Sequence, residues 1–217
     1  MTNIYNHPGK RELKRHLFDI AVQALETEGW KVERLARGGG SSVRMISRPG
    51  EQKKVSIRTS QDTWIAFPRD RNGSGWITLS DVDAVVAVSV NDSHNPTEAR
   101  VHLIDGDEMR DRFDRAYAAR KRAKYALPEG RGIWVSLYLD EAAEPPTLVG
   151  AGAGNVFPPI ARVPLNTDVP SNDGDSDTDD KNEPAECSEQ LTIAEAKRRL
   201  ALTLGVSIAN IKITIEG

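Results

Sequence analysis

Cysteine is almost absent from this chain, which holds one, Cys187, in 217 residues. A single thiol cannot form an intramolecular disulfide, and it cannot supply the several thiolates of a cysteine-based metal site. The chain also lacks an apolar run long enough to span a bilayer. Its first ten residues lack the basic-then-apolar pattern of a secretory signal. We therefore expect a cytoplasmic protein with no disulfide framework and no membrane partner.

Signatures of a catalytic triad or a histidine metal site are also scarce. The four histidines have no metal-ligand spacing: they are His7, His16, His94 and His102. His102 lies in a predicted strand, where a packed core or edge histidine is the simplest interpretation. No Gly-x-Ser-x-Gly motif is present. The sequence therefore does not favour a hydrolase of the triad type, and it indicates no cofactor.

Glycine is concentrated at Gly150, Gly152 and Gly154, which follow a predicted strand. A dinucleotide-binding loop would need a helix that opens directly after the glycines. The paired prolines Pro158 and Pro159 follow closely and make such a helix improbable. We expect an ordinary glycine-rich loop here.

Negative charge is concentrated in a segment near the carboxyl end. Residues 166–189 hold nine acidic residues and one lysine, whereas residues 1–165 carry a net charge of +3. Four of the acids alternate like the start of a calcium loop: Asp173, Asp175, Asp177 and Asp179. Thr178 and Pro184 stand where an EF-hand loop needs glycine and glutamate. A disordered acidic linker is therefore favoured over a calcium site.

Hydrophobic periodicity predicts two long helices, at residues 11–29 and 107–124. Short strands are predicted at residues 30–35, 63–68, 75–78, 83–90, 99–104 and 132–139. The strand at 83–90 is continuously apolar, which is typical of a central strand covered on both faces. Residues 140–165 are rich in glycine and proline, so we expect them to be ordered but irregular.

A small unit is predicted after the acidic linker. Thr192 can cap a helix over residues 193–204, and residues 211–215 alternate as a strand. One helix and one strand are too little to fold alone. The unit should therefore associate with a second copy, bind a protein partner or dock onto residues 1–165. The candidate contact residues are Ile193, Leu200, Leu204, Ile211 and Ile213.

The most informative pattern is a hairpin that follows the first helix. Two alternating runs, at residues 41–48 and 51–60, flank an Arg-Pro-Gly-Glu turn. The second run ends in Arg58, Thr59 and Ser60. A helix followed by such a hairpin resembles the core of the PD-(D/E)XK nuclease superfamily. The resemblance implies a three-layer α-β-α domain of the restriction-endonuclease-like fold with a mixed central sheet over residues 1–165.

The resemblance also implies where a nuclease site would lie. The family carries an aspartate on the first strand and an acidic residue, a spacer and a lysine on the second. Those three positions fall on Ser42, Ser56 and Arg58 in this chain. Neutral hydroxyls cannot hold Mg²⁺, which prefers carboxylate oxygens, so the site is expected to be degenerate. Glu28 and Asp83 could replace the missing ligands if an acidic residue has migrated, and Mg²⁺ would then be the cofactor.

Two basic clusters are candidates for contact with phosphates. One lies around the hairpin and comprises Lys53, Lys54, Arg58, Arg69 and Arg71. The other closes the second long helix and comprises Arg120, Lys121, Arg122 and Lys124. Cations also complement the negative end of a helix dipole, which is an alternative explanation for the second cluster.

Three functions remain open from the sequence. The favoured one is a catalytically degenerate nuclease-like module that binds nucleic acid or a protein partner. The second is an active metal-dependent endonuclease with a rearranged site. The third is a protein-interaction adaptor that contacts its partner through residues 190–217.

Overall fold

A computed structural model describes residues 8–35, 42–70, 72–127 and 132–165 of the chain. The acidic linker at 166–189, the unit at 190–217 and Arg71 lie outside these ranges. The predictions made for the linker and for Ile193, Leu200, Leu204, Ile211 and Ile213 therefore stay predictions.

The first long helix, α1, spans Pro8–Thr27. It buries Leu17, Ile20, Ala21, Ala24 and Leu25, which recur at three- and four-residue steps. Gly29 follows with a φ of 84°, a left-handed conformation that glycine adopts without steric cost. The predicted helix is confirmed, and it begins a turn earlier than its apolar pattern.

Six strands form one mixed sheet in the order β1-β2-β3-β5-β6-β8. Their bounds are Lys31–Arg34, Val43–Arg48, Glu51–Ser60, Ala84–Val90, Glu98–Asp105 and Ala161–Pro164, respectively. β2 and β3 form the predicted antiparallel hairpin, and β3 and β5 form the parallel pair. The remaining neighbours are antiparallel.

The strand β5 lies in the interior of the six-stranded sheet, as its continuous apolar run predicts. All seven of its residues are buried between β3 and β6. Both of its faces are covered, because two separate hydrophobic clusters lie on opposite sides of the sheet. Val86 and Val88 belong to the cluster under α1, whereas Val85 and Ala87 belong to the other.

The second long helix, α2, spans Gly106–Arg122 and covers the face opposite α1. The Asp105 side chain caps its first turn by accepting from the amides of Asp107 and Glu108, a contact worth about 1 kcal/mol. Met109 and Phe113 enter the core, where the Phe113 ring meets the Phe67 ring edge-on at 5.1 Å.

A separate two-stranded ribbon lies on the α2 side of the sheet. It pairs β4 (Trp64–Pro68) with β7 (Gly132–Ser136) in antiparallel register. The predicted strand at residues 75–78 is wrong. That segment makes a single bridge between Arg69 and Trp76 and then turns, because Thr78 takes a positive φ that a strand does not allow.

The region after β7 is more regular than its composition predicts. A one-turn helix, α3, spans Ala153–Val156 directly after Gly152, where we expected none. The prolines end this helix but leave room for one turn. β8 was also missed, and it pairs with β6 at the edge of the sheet. Its Ala161 and Val163 pack against the cluster under α1.

The protein is therefore of the α/β class, with a mixed sheet and a helix on each face. Among the described residues, no helix is long and apolar enough to cross a membrane.

Candidate functional site

The sheet face covered by α2 carries several buried polar side chains, whereas the face under α1 is mainly apolar and buries Arg44 over the Phe18 ring. Residues paired across neighbouring strands share a face. The register therefore aligns Ser60 with Ser89 and Arg100, and it places His102 beside Ala87. We call this set the polar stripe: Ser56, Arg58, Ser60, Ser89, Arg100 and His102. Buried polar groups cost free energy unless they are hydrogen-bonded, so the partners of the stripe indicate its role.

Of the three predicted nuclease positions, Ser56 and Arg58 lie at one end of the stripe and Ser42 lies outside it. Ser42 immediately precedes β2, and its carbonyl accepts from the Ile57 amide at 2.8 Å. Ser56 pairs with Val43 and is fully buried. Its hydroxyl has no hydrogen-bond partner among the described residues. A buried neutral oxygen enclosed in this way offers no hydrated cation a place to bind.

Arg58, at the position where the resemblance implies a lysine, points into the protein. Its side chain is 8% exposed, and its guanidinium lies 4.5 Å from the Phe67 ring. It also donates to the Thr78 hydroxyl. Thr78 has a φ of 63°, which is rare for a β-branched residue. Arg58 therefore stabilises a strained turn, and this inward position argues against the predicted phosphate contact.

The carboxylates proposed as substitutes do not converge on these positions. Asp83 accepts from the Lys54 amide at 2.7 Å and so fixes the start of β5 against β3. Glu28 is exposed just beyond the end of α1. Within the ranges that the structure describes, no group of three or more histidine, cysteine, aspartate or glutamate side chains could hold a metal ion.

A chain of hydrogen bonds runs through the other end of the stripe. The Tyr138 hydroxyl lies 2.7 Å from Ser89 Oγ and 2.8 Å from His102 Nε2, and His102 Nδ1 lies 2.7 Å from the Phe157 carbonyl. The carbonyl can only accept, so Nδ1 carries the proton. Nε2 then accepts from Tyr138, and Ser89 donates to the Tyr138 oxygen. Every polar atom of the histidine ring is thus satisfied.

Burial keeps this histidine neutral. Desolvation is the largest cause that lowers the pKa of His102 below its ordinary value, and the positive charges of Arg100 and Arg162 lower it further. Desolvation likewise raises the pKa of Tyr138. The predicted packed histidine is confirmed, since His102 has no exposed surface. The network joins β5 and β6 to the segment after β7.

The hairpin cluster of cations is mostly engaged. Lys53 forms an ion pair with Glu51 at 2.7 Å. Arg69 lies over both the Trp76 and Tyr117 rings and pairs with Asp114 at 3.0 Å. Lys54 has no ion pair within the described part of the chain and is half-buried. Lys53 and Arg69 therefore serve packing and surface ion pairs. Their contacts give no support to the binding of a phosphate or of a protein partner.

The arginines of α2 are also engaged. Arg110, Arg112 and Arg115 pair with Asp107, Glu108 and Asp111, respectively. Arg120 is 5% exposed, and its guanidinium donates to the carbonyls of Trp134 at 2.6 Å and Thr147 at 3.3 Å. Desolvation lowers the pKa of Arg120. Arg120 therefore fixes β7 to α2, and this buried position argues against a phosphate contact.

Three exposed cations follow Arg120: Lys121, Arg122 and Lys124. We call them the basic turn. None of them has an ion pair among the described residues. The Tyr125 amide donates to the Arg120 carbonyl and the Lys124 amide donates to the Lys121 carbonyl, at 3.0 and 3.1 Å. This pair of bonds is the Schellman ending of a helix, whose left-handed position is usually glycine.

Lys124 occupies that left-handed position with a φ of 58°. A side chain there has a steric cost that glycine avoids. The turn that follows α2 thus holds a lysine at a position where the backbone favours glycine, and the side chain of this lysine is exposed and charged.

Comparisons with known proteins find no match for this chain: no family model, no curated protein and no solved structure matches it. The function must therefore be argued from the geometry of the site.

Sequence reasoning missed three of the residues that matter here: Ser89, Tyr138 and Trp134. Ser89 is the one polar residue in the apolar run of β5, which is a usable signal for a buried hydrogen bond. Tyr138 and Trp134 carry no such signal, because their roles depend on the distant pairing of β4 with β7.

Proposed function

We propose that this domain is a nuclease-like module that has no catalytic site and binds nucleic acid through the basic turn. The observation that carries the proposal is Lys124, which keeps a charge at a backbone position that favours glycine. Strained residues tend to cluster at functional sites. Lys121, Arg122 and Lys124 together present three charges to solvent within one helical turn.

Attraction to the helix dipole explains only part of this turn. Lys121 and Arg122 lie in the last turn of α2, where a cation gains about 0.3–1 kcal/mol from the dipole. Lys124 lies beyond the helix, and a glycine there would relieve its strain. Binding of a polyanion would account for all three charges, because each phosphate that they neutralise releases a condensed counterion.

The arrangement of the hairpin supports the non-catalytic part of the proposal. The order of α1, the strands β1–β3 and the mixed sheet supports the proposed restriction-endonuclease-like fold. Ser56, where the resemblance implies a metal ligand, has its hydroxyl buried. Arg58 is held by Thr78 and Phe67. These positions serve packing in this chain.

The proposal is tested by fluorescence anisotropy with a labelled oligonucleotide over a series of salt concentrations. The affinity should fall as salt rises, with a slope of log K against log salt of about −2 to −3 for three phosphate contacts. Lys124→Gly should reduce the magnitude of this negative slope by about 1. The same change should raise the free energy of unfolding by about 0.5–1 kcal/mol, because the left-handed strain it relieves, about 1–2 kcal/mol, exceeds the entropy cost of glycine, about 0.5–1 kcal/mol. Weaker binding by a more stable protein cannot be attributed to misfolding.

Arg15→Ala is the matched control, since Arg15 is exposed on α1, on the opposite side of the sheet. It should leave both the affinity and the slope unchanged. Absence of binding at low salt would refute the proposal and favour a protein-interaction adaptor. With Mg²⁺ or Mn²⁺ added, the nucleic acid should stay intact. Metal-dependent cleavage that Glu28→Ala or Asp83→Ala abolishes would favour the active endonuclease instead.

A further inference from the structure

Two large aromatic side chains are exposed in this part of the fold: Tyr125, which directly follows the basic turn, and Trp134 on β7. Tyr125 is 47% exposed and Trp134 is 39% exposed. The tryptophans Trp30 and Trp76, by contrast, are 4% and 3% exposed. Exposed aromatic surface next to charged residues is characteristic of a binding site.

The register of the ribbon explains why Trp134 faces outward. Ile133 and Val135 alternate with it along β7 and are buried in the core. Trp134 pairs with Ala66, so the two share the outer face of the ribbon. Ala66 is too small to cover an indole. The half-buried Trp64 lies diagonally across the same face. The outer face of the ribbon therefore presents an aromatic surface.

Arg120 joins this surface to the end of α2. Its guanidinium donates to the Trp134 carbonyl, and its own carbonyl accepts from the Tyr125 amide. Arg120 thus connects the backbone of Trp134 to the end of α2 that carries the basic turn and Tyr125.

This arrangement matches the chemistry of single-stranded nucleic acid. Proteins that bind single strands combine cations for the backbone with aromatic rings on which unpaired bases stack. The bases of a duplex are already stacked on one another and cannot reach an exposed indole. We propose that Trp134 and Tyr125 stack unpaired bases of a single strand whose phosphates contact Lys121, Arg122 and Lys124. The inference rests on the proposed function and names its ligand class.

The experiment compares three labelled probes of equal length at one salt concentration: oligo(dT), oligo(U) and a blunt DNA duplex. Both single strands should bind more tightly than the duplex. Trp134→Ala should weaken the binding of single strands by about five- to 100-fold, the range covered by base stacking, and should barely change the duplex affinity. Trp134→Phe should keep most of the affinity, because its ring still stacks. A preference between oligo(dT) and oligo(U) would identify the source of the strand.

Leu139→Ala is the matched control, because Leu139 is a similarly exposed apolar residue, at 46%. It should have no effect. Equal affinities for single strands and duplex, with no loss in Trp134→Ala, would overturn the inference, while a salt-dependent effect of Lys124→Gly would still support the proposed function. A change of mass in solution for Trp134→Ala without a change in affinity would make this face a protein contact. Absence of binding to all three probes would refute both proposals.

Discussion

Two non-glycine residues in the described ranges have a positive φ, Thr78 and Lys124. The strain at Thr78 has an internal compensation, since its hydroxyl donates to the Ile77 carbonyl at 2.6 Å and accepts from Arg58. The Lys124 side chain has no hydrogen bond or ion pair within the described residues, and the proposed contact with a phosphate would give its charge a partner. Arg58 and Thr78 stabilise the fold, whereas Lys124 is the residue at which the proposal can be tested.

Ser56 allows a direct test of whether its buried hydroxyl is unsatisfied. Ser56→Ala removes a buried hydroxyl that has no partner among the described residues. An unsatisfied buried polar group costs about 1–3 kcal/mol. We therefore expect the free energy of unfolding, measured in urea, to rise by about 1 kcal/mol, with nucleic-acid affinity unchanged.

Ser60→Ala is the control for this change on the same strand. The Ser60 hydroxyl lies 2.5 Å from the Trp64 carbonyl and 2.7 Å from Asp62 Oδ1. Its removal should lower the free energy of unfolding by about 1 kcal/mol. If Ser56→Ala is destabilising by a similar amount, its hydroxyl is satisfied and the argument for a vacated site is wrong.

At the scale of elements, hydrophobic periodicity predicted the structure that depends on residues close together in the sequence. The alternation of residues 41–60 predicted the hairpin, and the apolar run of β5 predicted a central strand. The pairing of β4 with β7 and of β6 with β8 could not be predicted, because the partners are far apart in sequence and their strands are short. The burial of Arg120 follows from that pairing, so a helix-end arginine was mistaken for a surface cation.

The segment after β7 depends on side chains from several elements. Arg112 donates to the Ala151 carbonyl at 2.5 Å, and Gly150 lies so close to α2 that a Cβ would meet the Arg112 carbonyl at 2.4 Å. His102 and Tyr138 bind the same segment to the sheet. These contacts make its attachment sensitive to the charge of one histidine.

His102 should therefore make stability depend on pH. Its folded pKa lies below that of an unfolded histidine, about 6.5. Above this value neither state binds the proton. As pH falls below it, the unfolded state gains a proton that the folded state does not, so the free energy of unfolding falls by at most about 1.4 kcal/mol per pH unit. This loss continues until the pH reaches the folded pKa.

His102→Gln isolates this contribution, because an amide supplies one donor for Phe157 and one acceptor for Tyr138. Urea unfolding at pH 5.0 to 7.5 should show the wild-type advantage shrinking as the pH falls. The charges of Arg100 and Arg162 act on His102, and both arginines remain in the variant. A difference between the two proteins that stays constant with pH would contradict the prediction.

At the scale of the whole molecule, charge is divided between the described domain and the acidic segment. Residues 1–165 carry a net charge of +3, and residues 166–189 carry −8. The overall charge of −3 hides this division. If nucleic acid binds the basic turn as proposed, a negative segment in the same chain would repel it wherever the two come within about 10 Å at 0.1 M salt.

Neutralising the acidic segment should therefore strengthen nucleic-acid binding. Replacing its nine acidic residues by asparagine or glutamine at constant length changes the net charge from −3 to +6. We expect the affinity at low salt to rise by about tenfold, the lower end of electrostatic steering effects. The gain should vanish near 1 M salt, where charges are screened within about 3 Å. A variant with the same acids in scrambled order should match the wild type, because the repulsion depends on charge and not on sequence. If neutralisation leaves the affinity at low salt unchanged, the acidic segment does not act on the binding site.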